Sequence, residues 1–591
     1  MNNMNTIPNF SNFPDKHKEI LEKQHQELLD QENSILTHAN KRKYKAATLA
    51  EFTTEELVPD DQKEEDAILK MKEQAAEIIE NKKRFNKLAS AIFIEPGNIH
   101  HAVNAAEKIL NQEQEPHVIF QRTGNLVRII KIADIPYKQK DGIERKQDAL
   151  VIVDIDAAHL PVFLTEKGVF VRYDKRSKDM QVIDCPDRIA KALIAKKEWQ
   201  IPVLRGFINA PTLRSDGSTL QQKGYDKESG LLFVSDIEFD QIPENPSFDD
   251  AKKASKLIEN LLQDFKFVDN ESKAVAISAI MTALIRKSLR TAPLHAFSAP
   301  QPANGKTLLA QIVSLIATGN PVAMLSYTGD EKEEEKRLLA LFRAGDSIIC
   351  YDNIETPFGG ASIAAVLTSS EFSSRILGKS ESVKVSTNVT FLATGNNLII
   401  VGDTGSRSLL CRLDAELERP GDRTFELDLY KHIPENRNKL VIAALTIMRA
   451  YEFAGCPKQP IAQFGRFEEW SNKVRSPLVW LGFADPVKSQ KAIASEDPIE
   501  SLLSRLFSNW YAIFRDRGVK ASEITKHAAS DPELMEILRD FLPNKPNPSP
   551  NVFGSKLKTF KNRIVSGYRL EDLGLHQGSS MWRIKQVEAK K

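Results

Sequence analysis

The residues most clearly arranged for chemistry lie in Ala299-Pro300-Gln301-Pro302-Ala303-Asn304-Gly305-Lys306-Thr307-Leu308, where a Gly-Lys-Thr tripeptide joins an apolar run to an apolar helix. That arrangement is a phosphate-binding loop. Backbone N–H groups over Asn304, Gly305, Lys306, Thr307 and Leu308, at the mouth of the helix, can cradle a nucleoside triphosphate. Lys306 would reach its β- and γ-phosphates and the Thr307 hydroxyl would hold Mg2+. One position departs from the pattern. Pro300 stands where the motif has glycine and cannot take a positive φ, so the entry to the loop must bend differently.

Further along, Ser347-Ile348-Ile349-Cys350-Tyr351-Asp352-Asn353-Ile354-Glu355 is an apolar strand ending in an acid. Asp352 is expected to hold the same Mg2+. Asn353 occupies the usual place of the carboxylate that polarises the attacking water, so Glu355 is the expected catalytic base. A third apolar strand, Val389 to Ala393, runs into Thr394-Gly395-Asn396-Asn397. Asn396 is read as the residue that orients the water against the γ-phosphate, with Asn397 as the alternative. Beyond it stand Arg407 and Arg412. Either can act as an arginine finger on a neighbouring subunit's γ-phosphate, and either can equally be a surface arginine paired to Asp414 or Glu416. Taken together, the four ordered signals predict ATP hydrolysis.

These residues need elements to hold them. Ala251 to Phe267 and Lys273 to Leu289 read as two helices leading into a strand at Leu294 to Ala299. Strand and helix then alternate to about residue 397. Such alternation predicts a parallel sheet covered by helices, with ligands at the strands' carboxyl ends.

The chain is 591 residues long, with 41% hydrophobic and 27% charged residues and a formal net charge of +1. That is a soluble globular composition, long enough for about four domains of roughly 150 residues. It excludes a protein that coats nucleic acid by bulk charge, so any such surface must be local. The apolar run Ala274 to Ile285 contains Ser and Thr and is too short to span a bilayer. Met1 to Pro14 is Asn-rich without a basic start or an apolar core, so no secretory signal and a cytoplasmic location are expected. Cys185, Cys350, Cys411 and Cys456 are too scattered for a zinc knuckle or a disulfide framework.

Residues 15 to 95 are rich in Lys, Glu, Gln and Ala, with Ile68, Met71, Ala75 and Ile78 at helical spacing. That stripe predicts a helix packed on its own domain or against another subunit. From His117 to Phe239 the texture changes to short β-branched runs between turn signals, which predicts a mostly β domain. Within it, Val151-Ile152-Val153-Asp154-Ile155-Asp156 ends in alternate carboxylates, followed by His159. This is either a plain strand end or the metal pair of a primase-polymerase. At the C-terminus, Asp531-Pro532 opens a helix to Leu542, and a second helix is expected near Val552 to Val565. Strands are expected at Tyr568 to Leu575 and Ser580 to Gln586. Helix, helix and hairpin predict a winged helix. From Lys556 onward nine basic residues, among them Lys558, Lys561, Arg563 and Arg583, face three acids, which suits a phosphate backbone. Trp582 could stack on a base or fill the core.

The GKT loop, the Tyr-Asp-Asn-Ile-Glu strand, Thr-Gly-Asn-Asn and the two arginines resemble AAA+ helicases of phages, plasmids and integrative elements, which are related to superfamily 3 and minichromosome-maintenance-like helicases. The resemblance extends upstream to Pro211 to Ser218 and Gly224 to Leu231 and covers roughly residues 95 to 591. Pro300 and Asn353 depart from the family pattern. The composition and this resemblance together predict a multidomain α/β protein with a helical N-terminal region (1–95) and a mostly β domain (96–250). An AAA+ P-loop NTPase core (251–430), a helical lid (431–515) and a C-terminal winged helix (516–591) complete it. The resemblance implies ATP and Mg2+, a homo-oligomeric and usually hexameric ring, translocation on single-stranded DNA at a fork, and possible work beside a primase. It also implies that a β-hairpin over Ser374 to Val385 projects into the ring's channel, carrying Arg375, Lys379 and Lys384 to the phosphates. Two rival readings remain open on the sequence. One is an origin-binding initiator or helicase loader that uses ATP as a switch without unwinding. The other is a primase-polymerase fused to the motor, resting on Asp154 and Asp156.

Overall fold

A computed structural model of the chain describes residues 10, 13, 15–41, 46, 48–54, 62–112, 118–132, 143, 145–375, 382–423, 426–542, 549–576 and 578–587. It is a multidomain protein of mixed helix and sheet, in two compact units: Met1–Ile130 with Ile152–Leu204, and Lys131–Val151 with Arg205–Lys591.

In the first unit the helices Asp15–Lys41 and Gln62–Ala89 bury an apolar seam in which Ala75 and Ile78 pack with Ala39, Leu49 and Phe52. The stripe seen in the sequence is therefore covered by its own chain. The region expected to be mostly β carries ten short strands among its described residues. It holds helices Ile99–Asn111, His159–Lys167 and Asp187–Lys196 between short strands, and the border of the two units runs through it. Pro161 sits in the first turn of the helix His159–Lys167, where a missing N–H breaks no hydrogen bond. Asp156 Oδ1 accepts the N–H groups of Ala158 and His159 at 2.9 and 2.7 Å just ahead of that helix, and these bonds hold its carboxyl below the usual range.

The second unit contains the chemistry. Its five parallel strands are β1 Leu294–Ala299, β2 Met324–Leu325, β3 Ile348–Ile354, β4 Thr390–Asn396 and β5 Ser408–Arg412, in the spatial order β2-β3-β4-β1-β5. Alternate residues along each strand serve opposite faces. Phe297, Cys350, Leu392 and Cys411 join one core with the helices Phe248–Leu261, Asn270–Ile285, Lys306–Thr318 and Leu429–Phe453. Ala296, Tyr351, Phe391 and Leu410 join a second core with Glu331–Ala344 and Ala361–Thr368. Helices on both faces follow from strands that are apolar on both faces. Asp269, Asp330 and Asp428 cap three of these helices by accepting first-turn N–H groups.

An antiparallel hairpin, Glu371–Arg375 with Ser382–Ser386, leads into β4. Buried Arg286 fixes the join: its guanidinium donates to the carbonyls of Thr387, Val389 and Leu289 at 3.0, 2.9 and 2.7 Å. Burial lowers its pKa to about 9.

At the C-terminus, helices Ala521–Ala528, Pro532–Phe541 and Pro550–Lys558 pack on an antiparallel sheet. Its edge strand Val519–Lys520 pairs with Ser579–Gln586, which pairs with Tyr568–His576 and then Ile564–Val565. The second expected helix stops at Lys558, short of Val565. The helix Pro498–Phe514, assigned from sequence to the lid, instead puts Leu503, Leu506, Phe507 and Trp510 into this C-terminal core, where Trp582 is also fully buried.

Candidate active site

Strand order decides what meets. β4 lies between β1 and β3, so the carboxyl ends of those three strands bring the GKT loop, Asp352 and Asn396 to one edge. The loop turns through Ala303 and Gly305, with φ of 62° and 97°. Ala303 thus takes the left-handed conformation that Pro300 cannot, at a conformational cost of about 1–2 kcal/mol. The side chain of Asn304 holds this shape: Nδ2 donates to the Gln301 carbonyl at 3.1 Å and Oδ1 accepts the Ala415 N–H at 3.0 Å. Asn304 is 2% exposed, so its side chain serves the loop and only its backbone can face a ligand. Leu308 packs against the core beneath.

Lys306 Nζ donates to Asn396 Oδ1 at 2.8 Å and to the Gln301 carbonyl at 3.0 Å. Burial lowers its pKa and nearby Asp352 opposes that shift, so the ammonium is a partly desolvated charge that gains from an anion. Asp352 Oδ1 accepts hydrogen bonds from Thr307 Oγ1 at 3.0 Å and Thr394 Oγ1 at 2.6 Å. The Thr394 oxygen also accepts the Asn353 N–H at 3.1 Å. That bond sits at an irregularity in the β3–β4 register between Tyr351 and Ile354, where Asn353 adopts φ 52°. Asn353 Nδ2 donates to Glu355 Oε1 at 3.2 Å, leaving Glu355 exposed at the strand's end. The oxygens of Thr307 and Asp352 are the hard donors that Mg2+ takes, together with a substrate's phosphates.

Thr394 had no role assigned in the sequence, where it opened Thr-Gly-Asn-Asn after the apolar strand; only the register of β3 against β4 reveals it. Asn397 turns away from this edge with φ 45°, its N–H donating to the Ala299 carbonyl at 2.9 Å.

The two arginines separate. Arg407 precedes β5, and its carbonyl accepts from the N–H of Leu294, the first residue of β1. It therefore lies about five residues, or roughly 16 Å, from the phosphate-loop end of β1. Its guanidinium is buried, donating to the Ala364 carbonyl and to Asp403 Oδ2 at 3.1 Å, while burial and the nearby Arg466 lower its pKa. Arg412 is at the other end of β5, in register with Ser298, and its Nη2 donates to Asp269 Oδ2 at 3.0 Å. Neither pairs with Asp414 or Glu416 in these bonds.

Among the residues read as DNA contacts, Lys379 lies outside the described residues, and the backbone of Arg375 ends the first hairpin strand, opposite Ser382. Lys384 is exposed and ion-paired to Glu371. Lys558 is exposed; Lys561 pairs with Asp572 at 3.1 Å, Arg583 pairs with Glu571, and Arg563 lies over the Phe560 ring at 5.7 Å. Among the described residues there is no cluster of three His, Cys, Asp or Glu side chains able to hold a metal ion, and no helix is long and apolar enough to cross a membrane.

No protein-family model and no curated protein matches the chain. Similar solved structures include the A-form apo structure of the NrS-1 C-terminal region, at 13% identity over 73% of this chain and 100% of that chain, with a TM-score of 0.29. Another is the SCCmec type IV Cch active helicase, at 11% identity over 80% of this chain and 98% of that chain, with a TM-score of 0.30. At these scores the likeness carries no argument.

Proposed function

We propose that this chain is an ATP-dependent DNA helicase of a mobile element or phage, working as an AAA+ ring of identical subunits that translocates on single-stranded DNA. The observation that supports it most is the convergence of Lys306, Thr307, Asp352, Thr394 and Asn396 at one sheet edge. ATP binds with its phosphates on the loop amides, and Lys306 exchanges its bonds to Asn396 and Gln301 for the β- and γ-phosphate oxygens. That exchange frees the Asn396 amide to orient a water. Thr307 and Asp352 would hold Mg2+, which would supply neutralisation of phosphate charge, and Thr394 keeps Asp352 facing Thr307. Glu355 takes the proton of the attacking water.

Arg407 stands too far from its own loop to act there; as an arginine finger it exchanges its bonds to Ala364 and Asp403 for a neighbour's γ-phosphate. This requires a ring, whose head-to-tail contacts repeat one interface. Arg412 is anchored to Asp269 and positions the end of β5 beside the loop. DNA is gripped by the hairpin before β4, through Arg375, Lys379 and Lys384, and by Lys558, Lys561, Arg563 and Arg583 of a C-terminal winged helix. The helicase reading is preferred to the primase-polymerase because Asp156 Oδ1 serves as a turn acceptor for the N–H groups of Ala158 and His159.

The test is unwinding of a forked duplex with ATP, compared with a non-hydrolysable analogue. Strand separation only with ATP supports the proposal. Tight binding to one duplex site, with the fork left closed, replaces it with an ATP-switched initiator or loader.

A further inference from the structure

The C-terminal hairpin of Tyr568–His576 and Ser579–Gln586 has two faces of opposite character and an unusual end. Its inward face carries Leu570, Trp582 and Ile584, all at 0% exposure. The outward face carries Arg569, Glu571, Arg583 and Lys585, because side chains alternate along a strand. Arg569 stands directly opposite Lys585 in register, and Glu571 opposite Arg583. Like charges facing each other across strands are destabilising unless an anion lies over them. The arrangement therefore invites one. Glu571 is the single acid of this outward group, and the bond from Arg583, with the charges of Arg583, Lys585 and Arg569, holds its carboxyl below the usual range. Arg569 Nε is buried without a hydrogen-bond partner.

Past Asp572 the strand breaks register, Gly574 adopts φ 88°, and pairing resumes as Gly574 with Met581, Leu575 with Ser580 and His576 with Ser579. Such a bulge bends a strand and re-aims the side chains beyond it. From Asp572 to His576 the hairpin advances roughly 13 Å. Along that reach Leu573 is 46% exposed and Leu575 is 79% exposed. A leucine this bare has no partner in its own domain, and it projects from a strand pair whose outward face is cationic.

We propose that this wing is a strand-separating wedge: the cationic face lies along the phosphates of duplex DNA while Leu575 bears on the terminal base pair where the duplex meets single strand. The charge selects the occupant, because a basic face with an apolar tip matches the charged backbone and apolar stacked bases of a duplex end. The inference rests on the helicase reading of the same chain.

Two measurements on the full-length protein separate the two ideas. In the first, forked-duplex unwinding and ATP hydrolysis stimulated by single strands are compared for wild type, Leu575→Ser and Leu575→Met. The wedge predicts that Leu575→Ser loses unwinding by on the order of tenfold, while hydrolysis stays at the wild-type rate and Leu575→Met unwinds normally. Equal unwinding by Leu575→Ser and wild type overturns the wedge and leaves the helicase reading standing. A change in oligomeric state in Leu575→Ser also overturns it, since the leucine would then serve a second copy of this chain. In the second, ATP is absent, and a duplex carrying 2-aminopurine at its terminal base pair is mixed with protein. Wild type should raise the fluorescence and Leu575→Ser should not. This holds even if the chain proves not to unwind, and no rise with wild type refutes the wedge.

Discussion

Replacing Thr394 by valine removes one hydroxyl and keeps the shape of the side chain, which makes it the sharpest probe of the site. That hydroxyl donates to Asp352 at 2.6 Å and accepts from the Asn353 N–H at 3.1 Å. A hydrogen bond to a charged group contributes about 1.5–3 kcal/mol, and leaving the Asn353 N–H unpartnered costs about 1 kcal/mol more. If the first quantity is expressed in the transition state, kcat falls about 10- to 100-fold, since about 1.4 kcal/mol is a factor of ten. The second appears as a Tm lowered by about 2–4 °C in a domain of roughly 200 residues. Steady-state ATP hydrolysis across a Mg2+ titration is the assay. Thr394→Val should need more Mg2+ for half-maximal rate as well as losing kcat, because a wandering Asp352 holds the ion less well. Thr394→Ser, which keeps both hydrogen bonds, should lie close to wild type. Wild-type kcat and Mg2+ dependence in Thr394→Val would refute the positioning role. A Thr394→Ser as impaired as Thr394→Val would move the cause from the hydroxyl to the methyl group's packing.

Neither Lys306→Ala nor Arg407→Ala should hydrolyse ATP alone. An equal mixture should regain activity, because about a quarter of the interfaces in a randomly mixed ring pair an intact loop with an intact arginine; a mixture as inactive as its parents argues against sharing. Asn304→Ala should weaken nucleotide binding on the order of tenfold by freeing the loop from Ala415 and Gln301, while leaving DNA binding unchanged; titration with a fluorescent ATP analogue reads this directly. His295 is buried against Ser278 Oγ at 3.1 Å, and burial pushes its pKa down to about 3. Between that value and about 6.5 the unfolded chain binds a proton that the folded chain does not, so stability is full above the window and is lost as pH falls through it. Urea unfolding at pH 5 and pH 7 should therefore differ by about 2 kcal/mol more in wild type than in His295→Gln, and an equal difference in both would show that His295 is not the group responsible.

The parts of the site that depend on local pattern were legible in the sequence. β1 begins and ends where the apolar run and the GKT loop placed it, and Lys306, Thr307, Asp352 and Asn396 do meet. What could not be read depends on which strands become neighbours. Thr394 faces Asp352 only because β4 lies beside β3, and Arg412 rather than Arg407 lies at the loop end of β1 only because β5 runs parallel to β1. Asn304 is stapled by Ala415, more than a hundred residues away, and no local signal marks that bond. The helices within the region from 96 to 250 went unread for a different reason. Helices such as His159–Lys167 carry Pro161, Val162 and Phe163, residue types that favour strands or turns in isolation and are overruled by burial of Leu160 and Leu164. The hairpin end that exposes Leu575 was read as ordinary strand, since exposure of one leucine among alternating residues is a tertiary property.

The helicase reading stands or falls on hydrolysis coupled to DNA. The most direct measurement is the ATPase rate of the full-length protein with and without single-stranded DNA, for wild type and for Lys306→Ala. A translocating motor with this site predicts hydrolysis that rises when single strands are added and vanishes in Lys306→Ala under both conditions. Hydrolysis indifferent to single strands would contradict the translocating motor, and hydrolysis that survives Lys306→Ala would contradict the site itself.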